Sequence, residues 1–413
     1  MFLRIRKLFL LLILTVSIVY WMLLLNFKIK NLHTRKLDFL ESNYTFRDFQ
    51  NSTCSESRNF VFIKCMKCAT ETMGTILRRF GYVRDLSFVL PIKRNLYLGW
   101  PFPLEQTDVK PSSFGYNILM EHSIYTPNVS NKFMPNNTKY ISIIRSPWEH
   151  LKSAFNYFDL GGVVGVPNRS YTNFLENIEF YSNKYMSHES RINRMCIADG
   201  FRISKNLMSH CLGMPLGFPL GTKDISNNTH EIEEYIAKID REFSLIMIAD
   251  HFTESLVMLK RTMCWKFKDI LYHYSNVGNY KSAETKDIRP EGRYLEIHKN
   301  WSAADYLLFN HFNKTFWNKV KREGPGFVEE VEHFRLIQML VERFCFVENN
   351  WSLPESVLQV PGSRFEAAFN VTGEDCVLMS TYMLPMLWAR YYEKEGLEPE
   401  GKAETPPERG CSI

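Results

Sequence analysis

Two lysines three positions apart, Lys64 and Lys67, stand where an apolar stretch breaks into a basic loop of small residues: Asn59-Phe60-Val61-Phe62-Ile63-Lys64-Cys65-Met66-Lys67-Cys68-Ala69-Thr70-Glu71-Thr72. A helical pattern over residues 73–80 follows. A short strand, a loop with paired cations and a helix start form a cradle for an anion. The first amides of a helix have no partner within it, and its dipole presents positive charge there. The loop lacks the G-x-x-x-x-G-K-[ST] spacing, so a Walker-type triphosphate site loses its main support and a differently built phosphate ligand remains. A further cation, Arg145, ends the apolar run 140–144. In Ser146-Pro147-Trp148-Glu149 a serine precedes proline at the first helical position, with glutamate three residues after the serine. That pattern predicts a capping box, with a helix starting directly after Arg145. Ser153 lies two turns further, so Arg145 and Ser153 can share the crevice at the carboxyl edge of a sheet.

The elements that must position these residues are legible as alternation. Apolar runs at 60–63, 140–144 and 243–249 are each followed by a helix-start signal. That order predicts an α/β fold with a parallel sheet and helices on its faces. Ile232, Tyr235, Ile236 and Ile239 follow helical spacing, and Thr253 opens a helix carrying Leu256, Met258, Leu259 and Met263. Val328, Val331, Phe334, Ile337, Leu340, Val341 and Phe344 mark another, and all three stripes read as core. Between 158 and 228 the periodicity fails, and Gly161, Gly162, Gly165 and a polar run to Asn193 predict loops over a cleft, assigned here to acceptor binding.

Residues 8–25 carry no charge and are long enough for one bilayer crossing, with no small-residue cleavage pattern after them. Basic residues flank both sides, so orientation rests on the sequons at Asn43, Asn51, Asn128, Asn136, Asn168, Asn227, Asn300, Asn313, Asn350 and Asn370, whose density suits a lumenal domain. The expected plan is a cytoplasmic tail (1–7), a transmembrane signal-anchor (8–25), a lumenal stem (26–58), a catalytic domain (59–394) and a flexible tail (395–413). A net charge of +5 without a basic stripe excludes a nucleic-acid binder. Nine cysteines in an oxidising compartment allow several disulfides, whose pairing the sequence leaves open.

The block Lys64-Cys65-Met66-Lys67-Cys68-Ala69-Thr70-Glu71-Thr72 resembles the 5′-phosphosulfate loop of Golgi sulfotransferases that use PAPS (3′-phosphoadenylyl sulfate), in particular the galactose-3-O-sulfotransferase and galactosylceramide sulfotransferase family. Residues 140–158 (YISIIRSPWEHLKSAFNYF) are similar to that family's 3′-phosphate segment, and 243–265 and 301–320 also resemble it, so the likeness spans most of the chain beyond the first sixty residues. It implies the sulfotransferase fold, a P-loop-like parallel sheet with flanking helices preceded by one transmembrane helix. It also implies a type II protein of the Golgi membrane that moves a sulfuryl group from PAPS, without a metal, to a galactose hydroxyl on a glycolipid or glycan. By this resemblance Lys67 meets the leaving oxygen with Lys64 nearby. Cys65, Ala69, Thr70, Thr72 and the loop amides surround the 5′-phosphate, and Arg145 and Ser153 hold the 3′-phosphate. His122 matches the family's base; its imidazole is expected to accept the acceptor's proton, oriented by Glu121 or another acceptor.

Several positions depart from the family pattern. Met66 stands where histidine is common, Cys65 and Cys68 replace threonines, and Glu71 replaces a serine. Methionine cannot transfer a proton, and an ionised Glu71 turned inward would repel phosphate oxygens. The alternative these raise is a catalytically impaired lumenal binding protein of the same fold. Cys65 and Cys68 also form an isolated C-x-x-C, for which a loop disulfide is one reading and a metal site a poor one, since the flanking lysines favour anions. A metal-dependent glycosyltransferase is disfavoured because the chain contains no D-x-D.

Overall fold

The computed structural model describes residues 54–92, 96–190, 193, 197–273, 292–348 and 356–399. The expected anchor, most of the stem and residues 400–413 of the tail lie outside them. Among the described residues no helix is long and apolar enough to cross a membrane.

The described residues fall into two units, one drawn from 54–356 and 372–399 and the other 357–371. The first is built on four parallel strands: β1 (Phe60–Ile63), β2 (Ile118–Leu119), β3 (Lys139–Ile144) and β4 (Leu245–Ile248), ordered β2-β1-β3-β4. Every residue of β1 and β4 is buried, as expected of strands covered on both faces, which read as continuous apolar runs rather than alternating ones. The chain steps from β1 outward to β2 and then back to the other side of β1 for β3. The order therefore reverses between β1 and β3, and in open parallel sheets ligands bind in the crevice outside the carboxyl ends at such a reversal. Lys64 follows β1 and Arg145 follows β3.

The helices that matter for the site are α1 (Thr70–Val83), α2 (Pro147–Tyr157), α3 (Leu207–Cys211), α4 (Thr229–Glu242), α5 (Phe252–Met263), α6 (Gly292–Trp301), α7 (Ala303–Arg322) and α8 (Gly326–Glu342). Helix α1 buries Met73, Ile76, Leu77 and Phe80 against the sheet, with Phe80 stacked on Trp265 at 3.9 Å and Trp265 edge-on to Phe60 at 5.6 Å. Gly81 allows the close approach of α1 to β2, because a Cβ there would lie 2.4 Å from the Phe88 ring and 2.6 Å from Ile118. Disulfides Cys54–Cys264 and Cys345–Cys376 tie segments 210 and 31 residues apart. In the second unit the described part is Val357–Val371, where β5 (Val357–Val360) and β6 (Phe369–Thr372) form a two-stranded sheet.

The expected strands and helical stripes appear with ends shifted by a few residues. Three local expectations are corrected. Val328, read as core, stands exposed in the first turn of α8 and faces away from the packed side of that helix. Residues 158–228 are not a run of loops, since Leu160–Val163, Tyr171–Glu176, Ile178–Met186 and α3 are helical and bury Tyr171, Phe174, Leu175 and Tyr185. Such short helices give too few turns for an apolar stripe to show. They are fixed by caps at Asp159 and Ser170 and by packing on Phe155 of α2, whose ring lies 5.2 Å from those of Tyr171 and Phe174. The capping box at Ser146 also does not form. Ser146 makes no side-chain cap; its amide instead donates to Asp250 Oδ2 at 2.8 Å, a carboxylate brought from just beyond β4.

Candidate active site

The loop between β1 and α1 is shaped by two non-glycine residues in the left-handed region, Lys67 (φ 65°) and Ala69 (φ 57°). Ala69 is the N-cap of α1 and its side chain caps nothing, so the amides of the first turn stay available. Backbone that alternates hand in this way turns successive N–H groups into one concavity suited to an anion. Thr70, buried, and Thr72, half-buried, lie in that first turn.

Lys64 is completely buried, and burial lowers its pKa. Its Nζ lies 3.2 Å from Glu71 Oε1, an ion-pair distance, but off the line of a hydrogen bond, so this buried ammonium has no hydrogen-bond partner. Glu71 is thus turned toward the lysine. Burial raises its pKa, but Lys64, Arg78 and Lys67 together outweigh that and hold the carboxyl below its ordinary range. Lys67 extends its Nζ over the ring of Tyr157, 3.7 Å from the centroid, and burial lowers its pKa to about 8, opposed by Glu71 and reinforced by Arg145.

Arg145 Nη1 donates to the Lys67 carbonyl at 3.5 Å, so the cations from the ends of β1 and β3 meet at the crevice. Helix α2 presents one face to the same loop. His150 Nε2 donates to the Met66 carbonyl at 2.9 Å and Tyr157 underlies Lys67. Ser153, half-buried, lies between them at i+3 from His150, on the face turned to the loop. Burial, with Arg145 and Lys67 adding, takes His150 down to about 4, so it is neutral.

His122 lies just past β2. Its Nδ1 is 3.3 Å from the Lys64 carbonyl, which can only accept, so Nδ1 carries the proton and Nε2 keeps its lone pair. Burial and the nearby Lys64 charge push its pKa well below the usual value, which keeps the ring neutral. Of the two expected orienting groups, Glu121 or another acceptor, the second holds. Glu121 is 1% exposed and engages Arg78 bidentately at 2.9 and 2.7 Å, leaving the Lys64 carbonyl as the orienting group.

Cys65 and Cys68 are free, buried thiols whose pKa values burial raises well above normal, so no loop disulfide is present. Cys65 Sγ instead contacts Ser142 Oγ at 3.9 Å and the Met208 carbonyl at 3.8 Å. Sequence reasoning missed Met208, whose Sδ also accepts the Arg145 amide at 3.4 Å, and the buried Asp305 of α7, whose carboxylate binds the Met208 and Ser209 amides and so holds α3 in place. Asp250 was missed too. No local motif marks these residues, because each acts across more than sixty positions of sequence. Among the described residues no group of three or more histidines, cysteines or carboxylates is arranged to hold a metal. Of the sequons, Asn128, Asn136, Asn168, Asn227, Asn300 and Asn370 are exposed and Asn313 is half-buried in α7; Asn43, Asn51 and Asn350 lie outside the described residues.

The family description Galactose-3-O-sulfotransferase matches residues 2–362. Among curated relatives, galactose-3-O-sulfotransferase 2 of Sus scrofa is 30% identical over 299 residues, 70% of this chain and 68% of that protein. Galactosylceramide sulfotransferase is 27% identical in Bos taurus, over 71% of this chain and 65% of the relative, and 29% identical in Homo sapiens, over 66% and 60%. The chain thus spans about two thirds of the length of the relatives it matches. With a parallel sheet whose reversal point carries this basic loop, and a match over most of its length, the chain belongs to the galactose-3-O-sulfotransferase family.

Proposed function

We propose that this protein transfers a sulfuryl group from PAPS to a hydroxyl, the 3-hydroxyl, of galactose on a glycolipid or glycan. The observation that carries the reading is the contact of Arg145 with the Lys67 loop at the sheet's reversal point, which puts cations from two strand ends within reach of one nucleoside bisphosphate. The residues fit such a donor: Lys64 Nζ is buried without a hydrogen-bond partner, beside a concave run of loop amides.

PAPS supplies the sulfuryl group already activated on its 5′-phosphate. In this reading Lys64, Thr70, Thr72 and the amides near Cys65 and Ala69 hold the 5′-phosphate, while Arg145 and Ser153 hold the 3′-phosphate that distinguishes the donor from other adenine nucleotides. Lys67 offers a proton-bearing ammonium to the bridging oxygen as negative charge grows there, and removing one such preorganised donor costs about 10²–10³ in rate. His122 accepts the proton of the acceptor hydroxyl at Nε2. The scheme gives no step to a metal ion. Localisation in the Golgi membrane, anchored by 8–25 with the catalytic domain lumenal, is supported by the two disulfides, which suit an oxidising compartment.

The test uses the full-length protein in detergent. Calorimetry measures binding of adenosine 3′,5′-bisphosphate, and radiolabelled PAPS is offered with galactosylceramide, lactosylceramide and N-acetyllactosamine, followed by linkage analysis. Absence of both binding and transfer rejects the reading. Met66 favours one competitor, the impaired binding protein, and transfer that appears only in Met66→His would put it in place of the enzyme.

A further inference from the structure

The backbone of residues 96–98 grips His122 on both sides: the His122 amide donates to the Leu96 carbonyl at 2.9 Å and the Leu98 amide to the His122 carbonyl at 2.7 Å. Tyr97 and His122 are therefore partners in a parallel bridge, which sends their side chains to the same face. Their ring centroids are 5.5 Å apart. Trp100 closes a triangle, 5.7 Å from Tyr97 and near-parallel to it at 27°, and 6.5 Å from His122. Behind Trp100, Phe201 stands edge-on at 5.4 Å. His122 and Trp100 are buried, 5% and 6% exposed, whereas Tyr97 is half-buried. Of the three rings, Tyr97 is the one that solvent reaches, and an acceptor approaching the His122 imidazole meets it.

We infer that Tyr97 is a contact for the acceptor sugar, packing its ring edge and phenol against the galactose whose hydroxyl is presented to His122. This rests on the sulfotransferase reading of the site. Galactose suits such a contact, because its axial 4-hydroxyl leaves C3–H, C4–H and C5–H together on one apolar face, while the remaining hydroxyls need polar partners. Tyrosine supplies both kinds of surface on a side chain with few rotors. Trp100, itself backed by Phe201, packs on that side chain, so little ordering is left for the binding step. The sequence marks Tyr97 by nothing; it becomes a candidate only when the bridge sets it beside His122.

The experiment compares wild type, Tyr97→Phe and Tyr97→Ala as full-length proteins. It measures KM and kcat for a soluble β-galactoside, Kd for adenosine 3′,5′-bisphosphate, and saturation-transfer NMR of the same galactoside with the bisphosphate bound. Loss of one well-packed aromatic contact made equally in ground and transition states is expected to raise the acceptor KM of Tyr97→Ala by about 10-fold or more, with kcat changed much less. The bisphosphate Kd should stay within about 2-fold, with Tyr97→Phe intermediate, retaining the ring and losing the phenol. An unchanged KM in Tyr97→Ala with intact donor binding overturns the inference while leaving the enzyme reading standing. A Kd that weakens in parallel also overturns it, since it makes Tyr97 a structural part of the donor loop. If no variant, wild type included, transfers sulfate, the NMR decides alone: galactoside saturation lost in Tyr97→Ala upholds the contact, and saturation absent or unaltered rejects it.

Discussion

Replacing Glu71 with glutamine should tighten binding of adenosine 3′,5′-bisphosphate. The carboxylate sits in the first turn of α1, 3.2 Å from Lys64 Nζ, where it acts as a built-in anion on the lysine assigned to the 5′-phosphate. Its side chain is 56% exposed, which places its interactions closer to the aqueous than to the interior limit. With an effective dielectric of about 40 and a separation of roughly 6 Å, its repulsion of each phosphate charge is about 1.4 kcal/mol. Salt reduces this, and glutamine keeps the shape while removing the charge, so a net gain of about 1–2 kcal/mol, or roughly 5–30-fold in Kd, is expected. Folding stability should move the other way, by about 0.3–1 kcal/mol, because an acid near a helix N-terminus favours the helix. Calorimetric titration of wild type and Glu71→Gln at low and high salt, with thermal melts of both, reads the two effects separately. The gain should shrink as salt rises. Weaker binding by Glu71→Gln would refute the reasoning, since it would make Glu71 a strut that holds Lys64 in its productive place rather than a competitor for it.

Three other outcomes follow from the same geometry. The pH profile of kcat/KM should lose activity as pH rises through about 8, where Lys67 in the free enzyme gives up its proton, and should show no acidic limb from His122 until well below 6.5; a limb centred at 6.5 or above rejects His122 as the base. Arg78→Met should destabilise the fold by about 3–5 kcal/mol because Glu121 is left charged and buried, and Arg78→Met/Glu121→Leu should recover most of that in urea unfolding; equal losses in the single and double variants would contradict it. Stability should fall on acidification. Burial holds His150 and His210 at about 4 and His298 at about 3, below their unfolded value, so the unfolded chain takes up protons that the native one refuses, and the stability present above 6.5 is lost as pH falls. Between pH 7.5 and 5.5 this amounts to about 1.4 kcal/mol for each histidine. Asp305, raised to about 6 by burial, works oppositely by about 0.8 kcal/mol, leaving a loss of about 3 kcal/mol from these four groups, to which His122 and His333, also lowered by burial, add; a flat urea midpoint across that range would refute it.

Where local chemistry dictates local structure, the sequence alone was enough. The unbroken apolar run 60–63 is β1, because a strand covered on both faces has no polar face to show, and proline after Ser146 starts α2 directly behind Arg145. The alternation of such runs with helix starts fixed a parallel α/β sheet, and with it a basic loop at a carboxyl edge. The sequence could not say what each polar group would face. Glu121 adjoins His122 in the chain, yet it pairs with Arg78, forty-three positions away, and the imidazole takes its orientation from the backbone of Lys64. Ser146 has the pattern of a capping box, yet Asp250 from the next strand end claims its amide. Glu71, in a position that predicted repulsion of phosphate, is turned onto a lysine that burial left without another partner. Each is a competition between a near group and a distant one for the same donor or charge. Desolvation decides it: packing fixes which buried groups lose water together, and those must then satisfy one another.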